Sequence, residues 1–209
     1  MSYDLTNQRV LITAASRGIG KATAAAFQSA GAKVAICARN EIQLLETKMH
    51  LETLGNQSVL AKVADLSIPE DINQLVDFVE SDFGGIDILV NNSGGPPPGT
   101  HEQINDEQWS KAFEATLCSS IRITNRVLPR MKNKGSGRII NLSSYSVKQP
   151  MSSMMLSNSI RLAALGWSKT LSNELARFNI LVNTICTGWT KTNRVEELLE
   201  NRAIEQDAA

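Results

Sequence analysis

Six short apolar runs alternate with longer amphipathic stretches, and this alternation constrains the fold more than any single residue does. The runs are residues 8–13 (QRVLIT), 32–38 (AKVAICA), 58–64 (SVLAKVA), 86–91 (IDILVN), 137–143 (GRIINLS) and 180–186 (ILVNTIC). Most are near-continuous in apolar character, the pattern of strands covered on both faces. Helical stretches lie between them: from Gly18 to before Gly31, 41–54, from Pro69 to about Asp82, 106–133 and 152–178. Pro69 suits a first helical position, where its missing N–H has no partner to lose. Strands that alternate with helices predict an α/β fold: a doubly wound parallel sheet of six strands with right-handed crossovers.

The chain's 209 residues suit one domain, with no linker visible. Twenty-one basic residues balance twenty-one acidic ones, so electrostatics offers no nucleic acid or anionic membrane as a partner. Cys37, Cys118 and Cys186 are odd in number and far apart, which argues against disulfides and for a reducing, cytoplasmic setting. His50 and His101 lack ligand spacing, so no metal site is expected. The first residues carry no signal-peptide pattern, and no apolar run is long enough to span a membrane.

The first strand runs into Thr13-Ala14-Ala15-Ser16-Arg17-Gly18-Ile19-Gly20, which opens a helix. Glycines there let backbone approach a phosphate, and the helix N-terminus offers free N–H groups with a positive dipole end. The same turn would also serve a helix that merely packs on the sheet. The second strand ends Ala38-Arg39-Asn40 without the carboxylate that binds a ribose 2′-hydroxyl. Arg17 and Arg39 at one corner suit a 2′-phosphate, hence NADP(H); both could instead be solvated surface residues.

The TAASRGIG turn resembles the TGxxxGxG signature of the short-chain dehydrogenase/reductase family. Four further segments resemble that family in the same order: Asp65-Leu66, Asn91-Asn92-Ser93-Gly94, Asn141-Leu142-Ser143-Ser144, and Asn183 to Gly188 followed by Thr192. The resemblance covers essentially the whole chain and implies a Rossmann-type fold. It implies cofactor contacts at Thr13, Ala15, Ser16, Arg17, Gly18, Ile19, Gly20, Arg39, Asp65, Leu66, Asn91, Ser93, Gly94, Gly188, Thr190 and Thr192. The family continues through a seventh strand, whereas this sequence stops at Asp207-Ala208-Ala209, so the single domain is expected to be short at that end.

Two departures stand out. Ala14 replaces a signature glycine, at a cost of about 1 kcal/mol if its φ is positive. The larger departure is chemical. The family reduces carbonyls with a tyrosine, a lysine four residues on, a serine and an asparagine. Only Tyr3 and Tyr145 exist here, and Gln149 follows Tyr145 at that spacing. The resemblance places Ser157 at the tyrosine position, Arg161 at the lysine position and Thr116 at the asparagine position, leaving Ser144 alone of the four. The catalytic set is therefore expected to be Ser144, Ser157 and Arg161. A serine is a far weaker acid than a phenol, and arginine keeps its proton. Tyr145 could donate from another direction or simply pack in its loop.

SNSIR (157–161, within Leu156-Ser157-Asn158-Ser159-Ile160-Arg161) with GGPPPG (94–99) is similar to a divergent 3-oxoacyl-carrier-protein-reductase-like subgroup lacking the Tyr/Lys pair. Pro96-Pro97-Pro98 stiffens a loop where ligands sit, with or without a ligand role. Met151, Met154 and Met155 would line an adaptable site or fill a core. The resemblance also implies a homodimer or tetramer through helices 106–133 and 152–178, presenting Ile121, Val127, Leu162, Ala163, Leu165, Trp167 and Leu171. Two functions remain open: an NADP(H)-dependent oxidoreductase acting on a carbonyl or alcohol small-molecule substrate with a non-standard site, or an NADP(H)-binding regulatory or scaffold protein without turnover. A truncated product is a third possibility.

Overall fold

The computed structural model describes residues 4–196 and 199. The described residues form six strands: β1 (Arg9–Ile12), β2 (Lys33–Ala38), β3 (Leu60–Val63), β4 (Ile88–Asn91), β5 (Gly137–Ser144) and β6 (Ile180–Thr187). They make one sheet in the order β3-β2-β1-β4-β5-β6, with every pairing parallel. The order reverses between β1 and β4, the switch point at which open α/β sheets bind ligands beyond their carboxyl ends.

The apolar runs explain the layers. In β1, Val10 and Ile12 face a cluster with Val34, Ile36 and Val90, and Leu11 faces the opposite cluster with Leu89, Ile123 and Ile139. Helices α1 (Gly18–Ser29) and α2 (Glu41–Glu52) cover the first face. Helices α3 (Pro69–Phe83) and α5 (Ser119–Lys134) cover the second. A satellite cluster joins α4 (Asp106–Phe113) to α6 (Met155–Leu175) through Ala112, Leu117, Leu156 and Ile160.

Two expected elements are corrected. The helix expected over 106–133 is split: α4 passes through a π-helical turn, Glu114–Cys118, before α5 begins. The extra residue of a π turn re-aims Thr116 and Leu117 inward, a device that recurs at functional sites. The stretch expected over 152–178 is helical only from Met155 and ends in a short 3-10 turn, Ala176–Phe178. Val127, expected at a subunit interface, is fully buried under the sheet. Leu171 packs against that core too, and Ile121 and Trp167 pack on the satellite cluster. Leu162 (53% exposed) remains available on the surface.

Candidate active site

The turn after β1 is shaped by backbone geometry. Ala14 has φ +47° and Gly18 φ +56°, so the alanine does sit in the left-handed region. Ala15 N donates to Cys37 O at 3.0 Å, and Asn92 Nδ2 donates to Ala14 O at 3.0 Å. Gly20 is needed for closeness: a Cβ there would lie 2.6 Å from both Ala14 O and Asn92 Nδ2. Thr13 Oγ1 donates to Asn92 O at 2.6 Å and accepts from Asn92 N at 2.8 Å. Thr13 and Ala15 are buried, and their side chains brace the turn. Ser16 O accepts from Thr47 Oγ1 at 2.8 Å, tying the turn to α2.

Helix α1 starts without a side-chain cap and without an acidic residue in its first turn. Its leading N–H groups lack intrahelical partners, so they suit an anion. Thr192 closes the far side, 3.5 Å from where a Cβ on Gly18 would stand. Thr190 Oγ1 donates to Gly188 O at 3.4 Å in the same segment. Arg17 and Arg39 are exposed at the corner; Arg39 is 3.9 Å from Asp65, a long and wet contact. Burial works against the charged form of Asp65, but hydrogen bonds from Ser67 and the Arg39 charge leave its carboxyl below the usual range. Leu66 packs against the core. The donor set therefore fits a phosphorylated dinucleotide: free N–H groups, a glycine cradle and two flanking cations. Beside it, an apolar cavity of about 720 Å³ runs between α1 and residues 190–193, away from the strand ends.

At β4 and β5 the strand ends carry side-chain chemistry. Asn91 Nδ2 donates to Asn141 Oδ1 at 2.8 Å, and Asn141 Nδ2 donates to Ser168 Oγ at 3.0 Å. Thr184 Oγ1 donates to Ser168 Oγ at 2.8 Å, so one buried chain crosses β4, β5, α6 and β6. A cavity of about 20 Å³, room for one water, adjoins it; Asn91, Ser93, Thr116, Ser143 and Arg161 line it together with Leu142, Ala164, Leu165 and Trp167. Asn91 Oδ1 and Ser143 Oγ are buried there and meet no partner among the described residues.

Arg161 lies on α6, one turn beyond Ser157. Its Nε donates to Ser157 Oγ at 3.2 Å and its Nη1 to Leu142 O at 3.3 Å. The i,i+4 spacing on α6 brings Arg161 over Ser157, which is buried. Burial, and then the nearby Arg194 charge, push the Arg161 guanidinium below its ordinary value. Ser144 Oγ accepts from Ser146 N at 3.2 Å. Tyr145 begins a 3-10 turn, and its hydroxyl accepts from Trp189 Nε1 at 3.1 Å.

The rim is stapled. Gly99 N donates to Ser153 O at 2.7 Å and Met155 N to Gly99 O at 3.3 Å, so the proline loop leans on the start of α6. Met154 is buried in that contact. Arg194 Nη2 donates to Pro96 O at 2.7 Å, bridging residues 98 apart. Asn92 and Arg194 were not among the residues expected to act. Asn92 lies inside a segment already singled out; Arg194 has no local signal, because only the fold brings it to Pro96.

The sequence pattern described as short chain dehydrogenase matches residues 8–203. The 3-oxoacyl-acyl-carrier-protein reductase FabG of Vibrio cholerae is 31% identical over 195 residues, covering 93% of this chain and 78% of that protein. The D-beta-hydroxybutyrate dehydrogenase of Rhizobium meliloti is 33% identical over 198 residues, covering 92% and 75%. The crystal structure of L-sorbose reductase from Gluconobacter frateurii, complexed with NADPH and L-sorbose, superposes with a TM-score of 0.88 at 33% identity, over 92% of this chain and 73% of that one. With a six-stranded parallel sheet of matching architecture and a family pattern that runs from β1 past β6, the chain belongs to the short chain dehydrogenase family.

Proposed function

We propose that the protein is an NADP(H)-dependent oxidoreductase that interconverts a carbonyl and an alcohol through a non-standard active site. The observation that carries this reading is the uncapped, acid-free start of α1, with Gly18 in its left-handed turn and Arg17 and Arg39 beside it. Bound NADPH supplies a hydride. Ser144, at the end of β5, donates a hydrogen bond to the substrate oxygen. Ser157 relays a proton to that oxygen as it becomes an alkoxide, taking one back at the same time from a water that it holds, so that the proton comes from solvent. Arg161 holds Ser157 and orients the nicotinamide ribose; it moves no proton itself. Ser93, Gly94 and Thr190 shape the nicotinamide end, and Gly18, Ile19 and Thr192 the pyrophosphate end. NADPH-bound L-sorbose reductase supports the choice of cofactor by its likeness. Residues 1–209 act as one dinucleotide-binding domain in the cytoplasm, pairing as a homodimer or tetramer across the surface that carries Leu162. Among the described residues no helix is long and apolar enough to cross a membrane.

A second reading, an NADP(H)-binding regulator or scaffold without turnover, is favoured by Ser157 alone: a hydroxyl donor held by arginine replaces a phenol beside lysine. Titration of NADPH and NADH separates these from a non-binding protein, with NADPH expected to bind at least about tenfold tighter through its charge-assisted contacts. A panel of ketones, aldehydes, quinones and acyl thioesters then separates the two. Steady NADPH oxidation that drops on the order of 10²-fold in Ser144→Ala supports the enzyme. Tight NADPH binding with no oxidation across the panel supports the regulator.

A further inference from the structure

We propose that the outward face of α2, with the edge of β3 beside it, is a docking surface for a basic amphipathic helix of another protein. The surface lies apart from the catalytic corner and does not depend on the oxidoreductase reading. Leu44, Thr47 and Leu51 form the buried side of α2. A surface helix ordinarily turns polar residues outward. Here Ile42 is 71% exposed, Leu45 47% and Met49 61%. Their spacing sets them in one stripe along two turns of the helix. Of the twelve large apolar side chains exposed among the described residues, six fall between residues 42 and 68, so these are not single residues scattered over the surface.

The stripe continues onto the sheet edge. Thr47 Oγ1 donates to Ser16 O, so that flank of α2 faces the phosphate turn. Glu52 Oε1 accepts from Val59 N at 3.1 Å, so the other flank faces the approach to β3. Leu45 stands two turns before Glu52 and shares that flank. Ala61 packs in the cluster beneath α1 and α2, and strand alternation puts the exposed Val63 on the same face. Among the described residues β3 is the outermost strand on this side, so nothing in the sheet covers that edge.

Charge selects the occupant. Exposed carboxylates border the stripe, Glu41 and Glu52 on the β3 flank and Glu46 on the other. The one lysine of α2, Lys48, stands 3.9 Å from Glu52, a long and wet contact, and Arg39 turns to Asp65. A second copy packed stripe on stripe, antiparallel, would bring Glu46 against the partner's Glu46, and like charges at that spacing repel. An anionic membrane would meet the same carboxylates. A helix with its own apolar stripe and with lysine or arginine beside it covers Ile42, Leu45 and Met49 and pairs its cations with the border. The thioether of Met49 adapts to whichever apolar side chain meets it.

The test uses full-length protein and two labelled synthetic helical peptides with the same leucine stripe, one with lysine and one with glutamate at the polar positions, read by fluorescence anisotropy. The lysine peptide is expected to bind at least about tenfold tighter, the sum of several surface ion pairs, with a preference that shrinks as salt rises. Leu45→Ser and Met49→Ser are each expected to weaken it by about tenfold, as loss of apolar burial should, with thermal melts unchanged. Leu162→Ser, which removes an exposed apolar side chain from α6, should leave binding as it was. Binding of neither peptide, equal binding of both, or an equal loss in Leu162→Ser overturns the proposal. So does self-association in sedimentation that vanishes in Leu45→Ser, which gives the face to a second copy, or binding to phosphatidylserine vesicles that vanishes in the same variant, which gives it to a membrane.

Discussion

The phosphate turn and the catalytic corner are built by opposite means. The turn between β1 and α1 works through backbone: Ala14 and Gly18 at positive φ, Gly20 admitting close approach, free N–H groups at the helix start. The corner between β5 and α6 works through side chains that meet across the fold: Ser157 with Arg161, Asn91 with Asn141, Arg194 with Pro96. A backbone device tolerates few substitutions, because each added atom meets main chain. A side-chain device can be rewired, because a serine or an arginine can find a new partner at an old position. The proposed non-standard site lies in the second device and not in the first, as that contrast leads one to expect.

The sharpest way to break the contrast is to disturb the backbone device. Gly20→Val adds atoms where even a Cβ would stand 2.6 Å from Ala14 O and 2.9 Å from Ala15 Cα. Main chain cannot swing aside as a flexible side chain would, so the cost is expected at about 3 kcal/mol, the upper end for overpacking. Urea titration should show that loss, and NADPH binding should go with it. A variant that melts like the parent and binds NADPH normally would show that the turn is as adaptable as the corner.

The amino end of the sheet provides a control that touches neither device. Asp87 precedes β4, accepting from Arg9 Nε at 2.7 Å and from Lys134 Nζ at 2.5 Å. Burial opposes its charge, but the Arg9 and Lys134 hydrogen bonds override that and hold its carboxyl well below the carboxylate range. A depressed folded value stabilises the protein above the unfolded value, near 4, and that stabilisation is lost as pH falls towards the folded one. Asp87→Asn is expected to cost about 2 kcal/mol at neutral pH, typical of a hydrogen bond to a charged group. The difference from the parent should narrow progressively below about pH 4. NADPH affinity should stay constant; a large drop would mean that the two ends of the sheet are coupled.

These contacts also mark what could be read from the sequence and what could not. The strand runs, Pro69 at the start of α3 and the order of the glycine and asparagine segments are local, so the sheet and its layers were legible in advance. The π turn at Glu114–Cys118 was not, because its residues have ordinary helical character. Val127 was misassigned to an interface for a similar reason: an apolar residue on a long helix does not state which side the sheet is on. Thr13 and Ala15 belong to the expected turn, and their burial, which the motif alone does not state, lets them brace it. The i,i+4 spacing of Ser157 and Arg161 could be read from the sequence, but that Arg161 Nε would donate to the Ser157 hydroxyl follows only from the geometry of α6 against Leu142.

Ala14 offers a smaller and opposite test of the backbone device. At φ +47° its Cβ is strained, so Ala14→Gly is expected to stabilise the fold by about 1 kcal/mol. In a domain of this size that is a rise of roughly 2–4 °C in Tm. No change, or a fall, would mean that the glycine's extra freedom in the unfolded chain cancels the relief.

The mildest test leaves the sequence alone and reads the two sides by thiol labelling. Cys37 lies in β2 beneath the phosphate turn, fully buried, and burial pushes its thiol up to about 12 despite a backbone hydrogen bond from Ala14 that pulls it down. Cys186, at the end of β6 beyond the catalytic corner, is exposed, beside Ile185 on an apolar stretch of strand that is also exposed. Thiolate, not thiol, is the nucleophile, so both access and charge protect Cys37. A disulfide reagent at pH 8 should modify Cys186 quickly and leave Cys37 untouched until the protein is unfolded. Rapid labelling of Cys37 in the native protein would mean that the turn and β2 open readily. The tight backbone packing around Gly20 would then be no barrier, and the distinction between a rigid turn and an adaptable corner would fail at its rigid end.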